Sequence, residues 1–204
     1  MKIALVLLGL TLAATVASCS FDATRQEAAK PSAKANQATS PDAVVQHFLT
    51  WYSGQKEALG SMPLVPAWLS DDGDTTDVYK VDFKVAEEYL QPFKSSGFLS
   101  VNYVANEREE IRKADSVMQA LRQWAGPPQG LNYDRVVFSQ DPDADLEKLR
   151  RTKPAVTING DTALVFFAQL PKPEDLREGA NLEFRLVRQQ DKWLVDNIRP
   201  VFGP

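Results

Sequence analysis

The side chains that could do chemistry are few, and each has a competing structural role. His47 is the only histidine and Cys19 the only cysteine among 204 residues. A single histidine excludes histidine-rich metal sites. His47 follows Gln46 and neighbours Phe48 but falls off the apolar stripe through Val44, Val45 and Phe48, so a boundary or solvent-facing position competes with a role as catalytic base. Asp141, Asp143 and Asp145 imitate the first three ligands of a calcium loop, yet Leu146 stands where glycine is required and Thr152 where a bidentate glutamate belongs. Asp71, Asp72, Asp74 and Asp77 read as a solvated acidic loop. No glycine-rich phosphate loop, serine elbow or paired-cysteine motif is present, so neither a metal nor a cofactor is expected.

Asp196 sits beside Trp193 and Val195 on an expected strand, where burial would raise its pKa; pointing to solvent or binding a nearby amide is the alternative. The aromatic supply is larger. It comprises Tyr52, Trp68, Tyr89, Tyr103, Trp124, Phe138, Phe166, Phe167, Phe184 and Trp193; most must be core, and Tyr52, Tyr89, Trp124, Phe138, Phe166 and Trp193 are candidates to line a pocket between helices and sheet.

Cys19 ends an apolar run opened by Lys2 and closed by Val16-Ala17-Ser18. Positive start, apolar core and small residues form the anatomy of a secretory signal, and the core is shorter than the roughly 20 residues of a spanning helix. The stretch resembles the lipobox of bacterial lipoproteins. That resemblance implies a diacylglycerol on the Cys19 sulfur, cleavage before Cys19 and acylation of its new amino group. Ser20, in place of Asp, implies outer-membrane delivery under the enterobacterial sorting rule, facing periplasm or surface. Several acyl chains hold a protein on a bilayer where one binds only marginally. The expected organisation is a signal peptide over 1–18, lipidated Cys19 with a flexible tether over 19–40, and one domain over 41–204.

Net charge is −4, with 25% charged and 44% hydrophobic residues. These are globular values, and the acidic balance argues against a nucleic-acid partner. Membrane contact is expected through the Cys19 lipid alone, with any protein or small-molecule partner left open. A lipidated Cys19 leaves no thiol for a disulfide, so the fold must stand on packing.

The domain opens with Ser40 as N-cap, Pro41 at the first helical position and Asp42 favourably placed against the dipole. Val44, Val45, Phe48, Leu49 and Tyr52 share a face until Gly54, the expected stop. Ser61 to Asp77 reads as loop. Tyr79, Val81 and Phe83 form an extended piece leading to a helix capped by Asp82, with Ala86, Tyr89, Leu90 and Phe93 inward and Gly97 ending it. A third helix buries Val104, Ile111, Ala114, Met118 and Leu121, placing Glu107, Arg108, Glu109, Glu110, Arg112 and Lys113 on the wet side, before Gly126-Pro127-Pro128.

The period then changes to two. Tyr133 to Ser139 is a candidate strand and Leu146 to Leu149 a short helical turn. Ala155 to Ile158 passes through Asn159-Gly160, a strong hairpin signal, into Thr162 to Leu170, where four consecutive apolar residues from Leu164 to Phe167 suggest a strand covered on both faces. A proline-marked loop over Pro171 to Gly179 precedes alternating Leu182, Phe184 and Leu186, and a turn at Gln190-Asp191-Lys192 gives the last strand, Trp193 to Arg199. Helices followed by a meander make an α+β fold, N-terminal helices packed on a curved antiparallel sheet of about four to six strands.

Asp191-Lys192-Trp193-Leu194-Val195-Asp196-Asn197-Ile198, closing the final strand, resembles the ending of nuclear transport factor 2-like (cystatin-like α+β cone) domains. Tyr133-Asp134 with Phe138-Ser139-Gln140-Asp141 is similar, more narrowly, to an uncharacterised bacterial family of that fold rich in lipoproteins. The resemblance spans Ala43 to Val201 in layout. It implies a scaffold shared by isomerases, dehydratases, ligand binders, immunity proteins and interaction modules, and therefore fixes no function. In its isomerases and dehydratases an Asp faces the cone, a part that Asp134, Asp141 or Asp196 could take. The expected function is an envelope lipoprotein acting as a ligand-binding or interaction module. A cofactor-free acid/base enzyme using Asp196 or Asp134, or a periplasmic immunity-type protein, are the alternatives.

Overall fold

The first helix begins where Pro41 supplies a preset φ and Asp42 meets the positive end of the dipole, but Ser40 makes no side-chain cap bond. The structure, a computed structural model, describes residues 39–68, 77–168 and 181–201, all within the compact unit Gln37–Pro204. Cys19, the signal peptide, the tether up to residue 38, Asp71, Asp72, Asp74 and the Pro171 to Gly179 loop lie outside the described residues.

Helix α1 covers Pro41–Gly60 and passes straight through Gly54, contrary to expectation. Gln55 to Leu59 are good helix formers, and burying Leu59 outweighs the roughly 1 kcal/mol that an internal glycine costs. A 3-10 turn, Pro66–Trp68, follows, then an extended passage in which Tyr79 and Val81 are buried. That passage is tied down by Tyr79 N–H to the Gln123 carbonyl (2.7 Å), Val81 N–H to Asp115 Oδ1 (2.8 Å) and Asp82 N–H to the Leu64 carbonyl (2.9 Å). Asp82 caps α2 (Phe83–Ser95), accepting from Lys84 N–H at 2.9 Å and Val85 N–H at 3.2 Å.

Gly97, at φ +74°, reverses the chain, and Phe98 to Ser100 then lies against the last strand through Ser100 N–H to the Val195 carbonyl (2.9 Å) and Val195 N–H to the Phe98 carbonyl (2.8 Å). Helix α3 spans Val101–Ala120. Two expectations for it fail: Leu121 falls just past its end and is mostly exposed, and Glu107 is buried. Glu107 lies four residues from both Tyr103 and Ile111, on the inward stripe, where an ionic partner makes burial tolerable.

Tyr133 to Ser139 is a turn and not a strand. Asp134 Oδ1 accepts from the Val136 and Val137 amides, both at 2.9 Å, while Asp134 and Ser139 form an isolated bridge and Phe138 adopts φ +54°. Local bonding of this kind competes with a sheet ladder. Helix α4, Pro142–Arg151, is longer than the expected turn. Asp141 caps it, Pro142 opens it, Asp143 and Asp145 occupy its first turn and Lys148, Arg150 and Arg151 its last, so those aspartates serve a helix start.

Strands β1 (Ala155–Asn159), β2 (Thr162–Phe167), β3 (Asn181–Gln189) and β4 (Lys192–Val201) form one antiparallel sheet in sequence order. The β1–β2 hairpin pairs Asn159 with Thr162 around Gly160, whose φ is +57°. Leu182, Phe184 and Leu186 point inward as their alternation requires. In β2 only Ala163, Val165 and Phe167 are buried; Leu164 and Phe166 occupy the outer face, because the helices cover one side only. The β3–β4 register runs Arg185↔Asn197, then Leu186↔Val195. Asp196 is therefore the extra residue of a bulge, which shifts the inward phase from Trp193 and Val195 to Ile198.

The fold is thus α+β: among the described residues, four helices packed against a four-stranded antiparallel sheet. Between the layers Phe48, Phe93, Phe167 and Phe184 are fully buried, with edge-to-face pairs at 6.5 Å for Phe48–Phe184 and 5.6 Å for Phe167–Phe184. At the centre of the interface the space between sheet and helices is filled by rings.

Candidate functional site

The principal cleft lies to one side of that core. Tyr52, Lys56 and Leu59 on the C-terminal half of α1 form one wall, which exists because α1 does not stop at Gly54. Met62, Leu64, Val65 and Trp68 close one end, Tyr89 of α2 reaches it from behind, and Pro127, Pro128 and residues 131–135 supply the opposite wall. Its volume is about 510 Å³, within the 300–1,000 Å³ range typical of small-molecule sites.

At the inner wall the Tyr52 hydroxyl donates to Asp134 Oδ2 at 2.6 Å. Burial, and then the negative charge of Asp134, hold the Tyr52 hydroxyl far above its ordinary pKa, so it stays a donor. With Oδ1 accepting two backbone amides, both carboxylate oxygens of Asp134 are engaged. That arrangement positions a wall; it leaves no uncommitted base.

The wall is held from below by a buried ion pair. Glu107 and Arg135 side chains are each 9% exposed. Arg135 donates through Nε to Glu107 Oε1, through Nη2 to Oε2 at 3.1 Å, and through Nη1 to the Gly130 carbonyl at 3.0 Å. Burial opposes the guanidinium charge, but the facing Glu107 carboxylate more than compensates and raises the Arg135 pKa. Arg135 also lies over the Tyr133 ring, 6.0 Å from its centroid. Lys56 bonds Asp143 at 2.8 Å, pinning the α4 start at the cleft rim.

Of the aromatic residues expected in a pocket, Tyr52 and Tyr89 line this cleft. Phe138 stacks on Tyr133 at 6.0 Å and faces a neighbouring groove with Tyr103 and Glu107. Trp124 is 60% exposed beyond α3. Phe166 lies on the outer face of the sheet, and Trp193 is buried on β4 beneath the Arg188 guanidinium, 5.6 Å from its ring centroid. The cleft thus lies outside the centre of the sheet–helix interface, which packed rings fill, while the groove at Phe138 runs between α3 and β4.

The three chemical candidates are not brought together. Asp134 borders the cleft, His47 is exposed on α1 and outside it, and the half-buried Asp196 accepts from Ser100 Oγ at 2.7 Å at the N-terminus of α3. Ser100 Oγ also accepts from Tyr103 N–H, so the Asp196 bulge secures the start of α3. Glu107, Arg135 and Tyr133 escaped the sequence reading as site residues. The available signal was Glu107's place on the apolar stripe of α3, which demands a buried cation somewhere.

Among the described residues no cluster of His, Cys, Asp and Glu could hold a metal ion, and no helix is long and apolar enough to cross a membrane. Compared with protein-family models, curated proteins and solved structures, the chain matches none.

Proposed function

We propose that this chain is a lipid-anchored envelope protein whose folded part is a binding module, with the cleft at Tyr52 and Asp134 as its binding site and a nuclear transport factor 2-like layout as its scaffold. The observation that carries the binding reading is the cleft of about 510 Å³, walled by Tyr52, Leu59, Leu64, Trp68, Leu131 and Tyr133, with polar side chains such as Lys56, Asn132, Ser139 and Gln140 also on its lining. Such a surface suits a small, largely apolar molecule with a flat ring and one or two hydrogen-bonding groups. Binding is favoured over acid/base chemistry because Asp134, the carboxylate on the cleft, already accepts three bonds. Anchorage is supported by Val16-Ala17-Ser18-Cys19 and by the absence of any other cysteine.

The probe for binding is 1-anilinonaphthalene-8-sulfonate, an apolar ring system with one polar group. It should bind the full chain saturably at one site, and Asn132→Trp, an exposed cleft-rim substitution, should weaken that binding at least tenfold. Non-saturable binding, or binding indifferent to Asn132→Trp, would reject the cleft. For anchorage, Cys19→Ser should move the protein from the membrane pellet to the soluble fraction; a variant still in the pellet after a carbonate wash would reject the lipid.

A further inference from the structure

Tyr52, Lys56 and Leu59 recur at spacings of four and three on α1, so they share one helix face, and all three line the cleft. The Lys56 ammonium is held at the rim by Asp143 Oδ2, 2.8 Å away on the first turn of α4. Ser139, Gln140 and Pro142, which lead into and open that helix, are also on the lining. Leu59, Leu64, Val65, Trp68 and Leu131 supply apolar lining. The cleft therefore combines an apolar interior with a polar rim that carries a cation.

The charged side chains on the lining are Lys56, Asp134 and Arg135. They differ in what they can still bind. Arg135 is closed around the Glu107 carboxylate and the Gly130 carbonyl, and Asp134 has both oxygens engaged by Tyr52, Val136 and Val137. A lysine ammonium carries three donors. Among the described residues Lys56 commits one of them, to an aspartate whose side chain is 78% exposed. Such a pair is held weakly, and its carboxylate loses little by returning to water. Asp134 at the inner wall repels a second negative charge placed beside it, so an acid group is kept at the rim while the apolar body points inward. A cationic ligand would be repelled by Lys56, and a neutral one would leave Lys56 on Asp143 and draw nothing from it.

Resting on the reading of this cleft as a binding site, we propose that its ligand is a small organic acid, a flat apolar body carrying one anionic group, and that Lys56 selects it by exchanging Asp143 for that group. Lys56 is then a specificity-determining residue and Asp143 an internal counter-ion that the ligand displaces. The apolar walls choose shape, and the rim chooses charge.

The test compares two probes of the same ring system on the full chain: 1-anilinonaphthalene-8-sulfonate, which is an anion, and N-phenyl-1-naphthylamine, which lacks the sulfonate and is neutral. Affinities are read as ratios between variants in one detergent, so that partition into micelles cancels. Lys56→Gln should weaken the anion about fivefold and the neutral probe less than about twofold, as for a partly exposed charge pair. Lys56→Arg should restore the anion. Asp143→Asn, which removes the competing carboxylate, should tighten the anion about two- to threefold and leave the neutral probe unchanged. Asn132→Trp, which blocks the cleft without altering charge, should weaken both probes alike. Equal losses for the two probes in Lys56→Gln, no loss for either, or an Asp143→Asn chain that binds the anion no more tightly would each overturn the role of Lys56 while leaving the cleft as a binding site. Saturable binding of neither probe to the unsubstituted chain would instead reject the cleft, and this inference with it.

Discussion

Glu107→Gln is the substitution whose consequence follows most directly from the structure. It leaves the Arg135 guanidinium in place, 9% exposed, with its charge no longer balanced. Removing one partner of a buried ion pair costs about 3–5 kcal/mol. Glutamine preserves volume and one acceptor for Nε or Nη2, while Nη1 keeps the Gly130 carbonyl, which places the loss near the lower end, about 3 kcal/mol. For a unit of this size each kcal/mol lowers Tm by about 2–4 °C, so the expected drop is about 6–12 °C. Urea unfolding of the full chain, with m unchanged, supplies the free energy and calorimetry the Tm. Replacing both Glu107 and Arg135 by methionine should cost less than Glu107→Gln alone, since no charge is then left stranded. A single-variant loss below about 1 kcal/mol, or a double variant as costly as the sum of its singles, would refute the claim that this pair is buried and mutually dependent.

Burial raises the pKa of Tyr52, Tyr89 and Tyr103 well above the usual value. Since the unfolded value is about 10, the stability this contributes is present below pH 10 and is lost as pH rises beyond it; phenolate absorbance should show these three ionising only as near-UV circular dichroism collapses, and their titration in folded protein would refute the burial. Glu87 is held down to about 2, first by its hydrogen bonds from Arg108. Its contribution is therefore present above about pH 4.3 and lost as pH falls toward 2, and it is small because the side chain is substantially exposed; Glu87→Gln should flatten the acid limb of a Tm-against-pH curve, and an unchanged limb would contradict that. Asp196→Ala removes the bond from Ser100 and should cost about 1–2 kcal/mol in urea unfolding while leaving 1-anilinonaphthalene-8-sulfonate affinity unchanged, whereas loss of that affinity would assign Asp196 to the site.

Much of the fold was readable because local and tertiary preferences agree. The stripes of α1, α2 and α3, the Asp82 cap, the Gly160 hairpin and the alternation of Leu182, Phe184 and Leu186 all point to the elements observed. The errors arise where tertiary packing or a local side-chain bond overrides the spacing. Gly54 is carried by Leu59 packing beyond it. Tyr133 to Ser139 alternates like a strand, yet Asp134 accepts from the Val136 and Val137 amides and from the Tyr52 hydroxyl across 82 positions. Leu164 and Phe166 lie in a run suited to two buried faces, but helices cover only one. Asp196 lies in an apparently regular strand, and the bulge that turns it to Ser100 becomes visible only in the β3–β4 register. The cleft was legible in part: Tyr52 and Tyr89 carried their aromatic signal, while Glu107 read as part of the wet face of α3 and Arg135 carried no signal of its own.

The most direct test of the binding reading is amide chemical-shift mapping of the isotope-labelled full chain in detergent with 1-anilinonaphthalene-8-sulfonate. Shifts that saturate together at Tyr52, Leu59, Leu131, Asn132 and Asp134, and vanish in Asn132→Trp, are the predicted result. Shifts centred on another surface, or none at saturating probe, would contradict the assignment of the cleft as the binding site.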